Sequence, residues 1–483
     1  MTENMIKNSL QAVRLRIKII NILRENMADN WNLRGKTQML DDLNTPSLQC
    51  RVYDRIAVQD SKGKTHFYCL ELSAGNTFDF GFCRKENVPS LLRDVMTMGS
   101  IRVLSGICDD LMVPTVPTVL WIKQARKYDP KHVIMWLENS IELTEEYKDT
   151  ILRLRKMGMR FAVRVDAMGE IASNDEILAC IDYLMVDFER SAEFMTVIQS
   201  LRNKNPLLKT IAFKHHISIF SFNKEETRNF DYVLGTVNNF LLTYENERPK
   251  WQHEMLRTFA QLYSSIYDVK EIGVIVANYP LMALAMKGMV ASKHLTNLTI
   301  RKNSSTLGES QTLTQFDLRN FLAISVGYNL FTLTEKQTYE QKKIPFSSEF
   351  INYEPFIQAL NFAKIVDLMA QDICDDITAP QAFIAGFLRF AHVFLHDTEE
   401  ATFAEFPLDA VASCYTNGGG QLGSIIRILM LLFEHRINDA MDVANNAGLV
   451  LVKDRLYGYI SHAMAWTDAV CCALNIIKGQ QEE

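Results

Sequence analysis

The chain has 483 residues, 48% of them hydrophobic and 22% charged, the balance of an ordinary globular protein with room for two or three cores. A formal net charge of −6 offers no basic field for nucleic acid. Nine scattered cysteines without a CxxC pair predict reduced, mostly buried thiols and a cytoplasmic protein, and no run reaches the roughly 18 apolar residues that a membrane span needs.

Residues 1–48 form an N-terminal extension in which MIKNSLQAVRLRIKIINILRENM (5–27) predicts one helix. Ile6, Leu10, Val13, Ile17 and Ile20 share a face, and Lys7, Arg14, Arg16, Lys18 and Arg24 make the segment basic. Three roles fit: packing on its own protein, a partner helix or coiled-coil strand, or contact with an anionic membrane surface. The N-terminus lacks the continuous apolar core and small-residue cleavage site of a secretion signal.

From 49 to 245, β-rich and helical runs alternate. VPTVLWIK (116–123), HVIMWLE (132–138), MRFAVRVD (159–166), IDYLMVDF (181–188) and LKTIAFK (208–214) are predicted strands. SIELTEEYKDTILRLRKMG and RSAEFMTVIQSLRNKN read as amphipathic helices. The first has Leu143, Tyr147, Ile151 and Leu154 on one face, Ser140 to cap its start and Gly158 to close its end. Such alternation implies parallel strands, crossover helices and a (β/α)8-type barrel. After the linker-like TYENERPKWQHE (243–254), the remainder, 246–483, is all-α: amphipathic patterns cover 252–266, 314–326, 354–373, 380–396, 420–435 and 455–478. In the last of these, Tyr459, Ala463, Trp466, Val470, Ala473 and Ile477 share a face.

The segments WLENSIELTEEYKDTILRLRKMGMRFAVRVDAMGEI, IDYLMVDFE, LKTIAFKHH and FDYVLGTVNNF, in that order, resemble the EAL family, barrel phosphodiesterases that cleave the bacterial second messenger cyclic di-GMP. EPFIQALNFAKIVDLMAQDICDD, APQAFIAGFLRFAHVFL, EEATFAEFPLDAV, GGGQLGSIIRILMLLFEHR and YGYISHAMAWTDAV resemble the HDOD domain, a relative of HD hydrolases that lacks their metal-binding pair. The two resemblances cover nearly everything after residue 50, in an order that belongs to bacterial signal transduction.

An EAL-type reaction implies two divalent cations held by oxygen ligands at the carboxyl ends of barrel strands. The resemblance places the first glutamate ligand on Cys69 and the phosphate-binding arginine on Ser73, with Glu71 a nearby substitute. No asparagine occurs between Asn87 and Asn139, where the next ligand is expected. The following glutamate falls on Met135, or on Trp136 one residue along. The paired aspartates fall on Arg164 and Val165, or on Val165 and Asp166. The lysine becomes Met185. The later glutamates fall on Phe213 and His216 with Lys214 retained, and the glutamine becomes Leu234.

Other signals carry less. His396–Asp397 superficially resembles the HD metal pair, yet falls at a helix end. GGGQLG (418–423) formally satisfies GxGxxG but follows a helical run rather than a strand. His215 and His216 would point to opposite faces of a strand. KNSSTLGESQTLTQ (302–315) reads as a polar loop. The expectation is therefore a degenerate EAL-like barrel followed by an HDOD-like helical half, without cofactor or metal, not an enzyme, and acting through protein partners, a second copy among them. The alternative is a receptor that binds cyclic di-GMP without hydrolysing it.

Overall fold

The computed structural model describes residues 53–72, 88–97, 101–137, 143–214, 222–238, 249–263, 278–292, 315–341, 351–373, 381–395, 420–434, 436–449 and 453–476, with 274, 276, 295 and 451 as isolated positions. Arg51–Glu483 is one compact unit; residues 1–50, with the predicted helix 5–27, lie outside the described residues.

Among the described residues ten strands are formed: β1 (Tyr53–Gln59), β2 (Thr65–Leu72), β3 (Leu111–Pro114), β4 (Val133–Leu137), β5 (Arg160–Arg164), β6 (Tyr183–Asp187), β7 (Lys209–Phe213), β8 (Phe222–Asn223), β9 (Tyr232–Leu234) and β10 (Val237–Asn238). Eight close a barrel in the order β1-β2-β3-β4-β5-β6-β7-β9, and β8 pairs with β10 beside it. From β2 to β9 all neighbours are parallel. The expectation of an all-parallel barrel fails at β1, which runs antiparallel to both β2 and β9. The cause is local. The short turn Asp60–Lys64 joins β1 to β2, Asp60 Oδ1 accepts from the amides of Lys62 and Lys64, and Gly63 takes φ 77°. So short a connection makes a hairpin, whereas parallel pairing needs a crossover of a dozen or more residues.

The strand expected over 116–123 is a helix, Val119–Gln124, and the sheet uses Leu111–Pro114 instead. Pro114 and Pro117 end the extended run and restart it as a helix, and Trp121 turns inward against Tyr128. The helix after β4 spans Glu145–Lys156 and begins later than Ser140, which lies outside the described residues. Thr144 is its N-cap, accepting from the Tyr147 amide at 3.3 Å, with Glu145 and Glu146 in the first turn. Gly158, at φ 96°, follows its C-terminus.

Helices follow from Lys250–Tyr263, which starts inside the stretch that reads as linker, because Pro249 initiates rather than interrupts it. The pattern at 314–326 extends to Gln315–Gln341. That at 380–396 breaks into Ala382–Leu388 and Ala391–Leu395. Glu354–Ile373, Gly420–Phe433 and Lys453–Ala473 follow their patterns closely, and Pro280–Ala291 and Ile437–Asn446 carried no pattern that marked them out. Phe331, Phe356, Phe387 and Phe394 form an aromatic nest, with centroids 5.3 to 5.9 Å apart, that ties four of these helices together. Among the described residues close helix approach demands glycine at Gly386, Gly288 and Gly327, the last against the Phe387 ring. A Cβ on Gly386 would meet Ala363 Cα at 2.9 Å, and one on Gly288 would overlap the Ala473 carbonyl oxygen. Inside this half, the buried Lys364 ammonium binds Asp367 at 2.7 Å and faces the Trp466 ring at 5.1 Å. No described helix is long and apolar enough to cross a membrane.

The β1–β2 hairpin is also where the barrel meets the helices. Gln59 Nε2 donates to Asn352 Oδ1 at 3.0 Å, and Asn352 Nδ2 donates back to Gln59 Oε1 at 3.2 Å and to the Val237 carbonyl at 3.0 Å. Arg55 reaches Asp468, and Tyr68 reaches Glu354.

Candidate functional site

Side chains alternate along each strand, so every second residue enters the barrel. Ile56 and Val58 from β1, Phe67 and Cys69 from β2, Met112, Ile134 and Trp136, Ala162, Tyr183 and Met185, Ile211 and Phe213, and Leu234 fill it as one cluster. Trp136 and Phe213 stand 6.0 Å apart, and neither has measurable exposure.

This packing shows which of the alternative positions face the interior. On β4, Trp136 faces inward and Met135, though buried, lies on the opposite face. On β5, Ala162 is interior and pairs with Tyr183. Two residues on, Arg164 pairs with Met185 and carries its guanidinium 5.5 Å from the Phe213 ring centroid. Val165 is buried in the short helical turn Val165–Ala167 that ends the strand, and Asp166 lies in the same turn. Asp166 accepts two hydrogen bonds from Arg164, at 3.0 and 2.7 Å, and lies 3.8 Å from Arg190. Of the three candidate aspartate positions, Arg164, Val165 and Asp166, only the last holds a carboxylate, and the Arg164 guanidinium already claims it.

Cys69, Met185, Phe213 and Leu234 therefore share the interior, each 1% exposed or less. Glu71 pairs with Asp54 in the β1–β2 ladder, and its side chain lies outside the description. Ser73, His215, His216, His396 and Asp397 also fall outside the described residues, as does 302–314. Lys214, just past β7, forms a salt bridge with Glu226 at 3.0 Å and stands 4.7 Å from the ring centroids of both Phe188 and Phe222. GGGQLG enters the described residues only at Gly420, which opens the helix Gly420–Phe433.

Two carboxylates at this end of the barrel escaped the sequence reading. Asp187, 5% exposed, ends β6 and accepts from the Glu189 amide at 3.1 Å. Glu226 holds Lys214 and accepts from the Asn223 amide at 2.9 Å. The acid before Tyr183 has a structural task at the opposite end: Asp182 takes two hydrogen bonds from Arg155, at 2.8 and 3.1 Å, and one from the Phe161 amide.

Hard divalent cations need several convergent oxygens. Among the described residues no three His, Cys, Asp or Glu side chains come together as such a group. Of the described carboxylates near the barrel mouth, Asp166 is held by Arg164, Glu226 by Lys214 and Asp187 by a backbone amide. The inward positions offer a thiol, an indole, a thioether, a phenyl ring and an isobutyl group. Among the described residues, this donor set does not fit a two-cation centre. No protein-family model matches the chain, and no curated protein or solved structure matches it either.

Proposed function

We propose that the chain is a non-catalytic protein of bacterial signal transduction, a cytoplasmic scaffold that works through protein partners. In this reading the barrel descends from EAL phosphodiesterases and the helical half is of the HDOD type. One observation carries it: five of the positions where the resemblance asks for a metal ligand or another polar active-site group, Cys69, Trp136, Met185, Phe213 and Leu234, are packed together in one apolar cluster. Hydrolysis of a phosphodiester by the two-metal route needs a polarised phosphate and an activated water. Both come from cations that thioether and aromatic groups do not hold.

The barrel frame persists while its chemistry is gone, which supports selection on surface and shape rather than on turnover. The apolar interior stabilises the barrel, and the junction with the helices fixes both halves as one body for presenting a surface. The test is incubation of the full-length chain with cyclic di-GMP and millimolar Mg²⁺ or Mn²⁺. The linear dinucleotide should not form above the rate of the protein-free blank. A rate that disappears in Asp166→Asn or Glu71→Gln would refute the assignment.

A further inference from the structure

At the contact between barrel and helices, one cluster holds the buried Arg55 guanidinium and Glu354 carboxylate and the half-buried carboxylate of Asp468. Arg55 on β1 donates to Asp468 of the helix Lys453–Ala473, Nη2 to Oδ1 at 2.7 Å and Nη1 to Oδ2 at 3.4 Å. Its guanidinium carbon lies 4.6 Å from the Tyr68 ring centroid on β2. The hydroxyl of Tyr68 donates to Glu354 Oε2 at 3.1 Å, and Thr65 Oγ1 lies 3.5 Å from the same oxygen. Glu354 is only 3% exposed, and Arg55 and Tyr68 are buried with it. The β1–β2 hairpin thus closes on an acid far along the chain, and the helix Lys453–Ala473 joins the cluster through Asp468 and Arg55.

The charges do not balance. Arg55 and Asp468 neutralise each other, which leaves the Glu354 carboxylate in excess. The other titratable groups facing Glu354 are the phenol of Tyr68 on β2 and the thiols of Cys108, after the helix Ile101–Leu104, and of Cys471 on the helix Lys453–Ala473. Burial pushes all three up from their ordinary values, so none carries charge near neutrality or offsets the acid. From its own helix Glu354 receives the side chain of Gln358, and the position in the first turn of Glu354–Ile373 also favours an anion. Burial outweighs these aids and the pull of Arg55, and the carboxyl is pushed up to about 6.

We propose that this junction is a proton-sensitive clamp, in which Glu354 takes up a proton when the barrel and the helices are closed together, so that their contact tightens in mildly acidic surroundings and loosens as the pH rises. The sign follows from linkage. An acid that binds its proton more firmly in the folded state adds stability that is fully present below its ordinary value of 4.5 and is lost as pH rises through about 6. The protonated carboxyl keeps a donor and an acceptor for its neighbours, so neutralisation need not break the cluster. This inference concerns the junction alone and is independent of what the barrel mouth does.

The experiment is denaturant unfolding of the full-length chain between pH 5.0 and 7.5, comparing wild type with Glu354→Gln. Histidines and other acids contribute equally to both proteins and cancel in the comparison. Between those limits the wild-type folding constant should fall by on the order of tenfold more than that of the variant. Identical pH profiles would overturn the proposal. Tyr68→Phe gives a second reading that does not depend on the glutamine variant folding. Loss of the phenolic donor weakens the ionised form, so the midpoint of the pH-dependent loss should move upward. A midpoint that stays in place, or moves down, would overturn it as well.

Discussion

Met185→Lys should lower stability by on the order of 4–5 kcal/mol at pH 7, the cost of keeping a lysine neutral in an apolar interior. Position 185 has no exposure, and its surroundings include Trp136, Ala162, Ile211, Phe213 and Leu234. The cross-strand partner is Arg164, so the new ammonium would also meet a like charge. A lysine there has its proton affinity depressed by folding. Its penalty is therefore greatest at low pH and shrinks as pH rises towards the ordinary lysine value of about 10.4. Urea unfolding at pH 7 and pH 10 checks both magnitude and sign, with Met185→Leu as a volume-conserving control expected to cost less than about 1.5 kcal/mol. A lysine tolerated at pH 7 would mean that an acid faces this position, which the packing described above denies.

The second large effect lies at the junction. Arg55→Met should cost about 3–5 kcal/mol, because truncation leaves Asp468 and Glu354 without their shared cation in a buried setting. Methionine retains the bulk of the stem, so the loss is mainly electrostatic. It should be worse at pH 7.5 than at pH 5.0, since removal of the guanidinium raises the carboxyl of Glu354 further. The double variant Arg55→Met with Glu354→Gln should recover part of that loss, a coupling that a double-mutant cycle measures. Additive losses would show that the two side chains do not sense each other.

The sequence revealed most where the physics is local. Strands β4 to β7 are near-continuous apolar runs such as VIMWL and YLMVD, as strands covered on both faces must be, and the helix between β4 and β5 carries a stripe and acidic first turn that any reader would find. Facing was harder for the same reason. In a strand apolar at every position, alternation leaves no mark, so Met135 and Trp136 could not be told apart until the barrel closed around one of them. The β1–β2 hairpin was missed because YDRIAVQ mixes charge with short apolar residues, and its buried Arg55, facing away from the barrel interior, answers a carboxylate far along the chain. Tyr68 and Glu354 are 286 residues apart, and no local pattern announces such a contact. Asp187 and Glu226 were passed over for a related reason: each is explained by a turn amide or a lysine partner that only the folded chain supplies.

Manganese offers the sharpest examination of the barrel mouth, because paired Mn²⁺ ions bridged by carboxylates couple magnetically. Electron paramagnetic resonance of the full-length chain titrated with Mn²⁺ should show only the signal of free and weakly held single ions, unchanged in Asp166→Asn. A spin-coupled pair at two ions per chain, lost in that variant, would contradict the account at its centre.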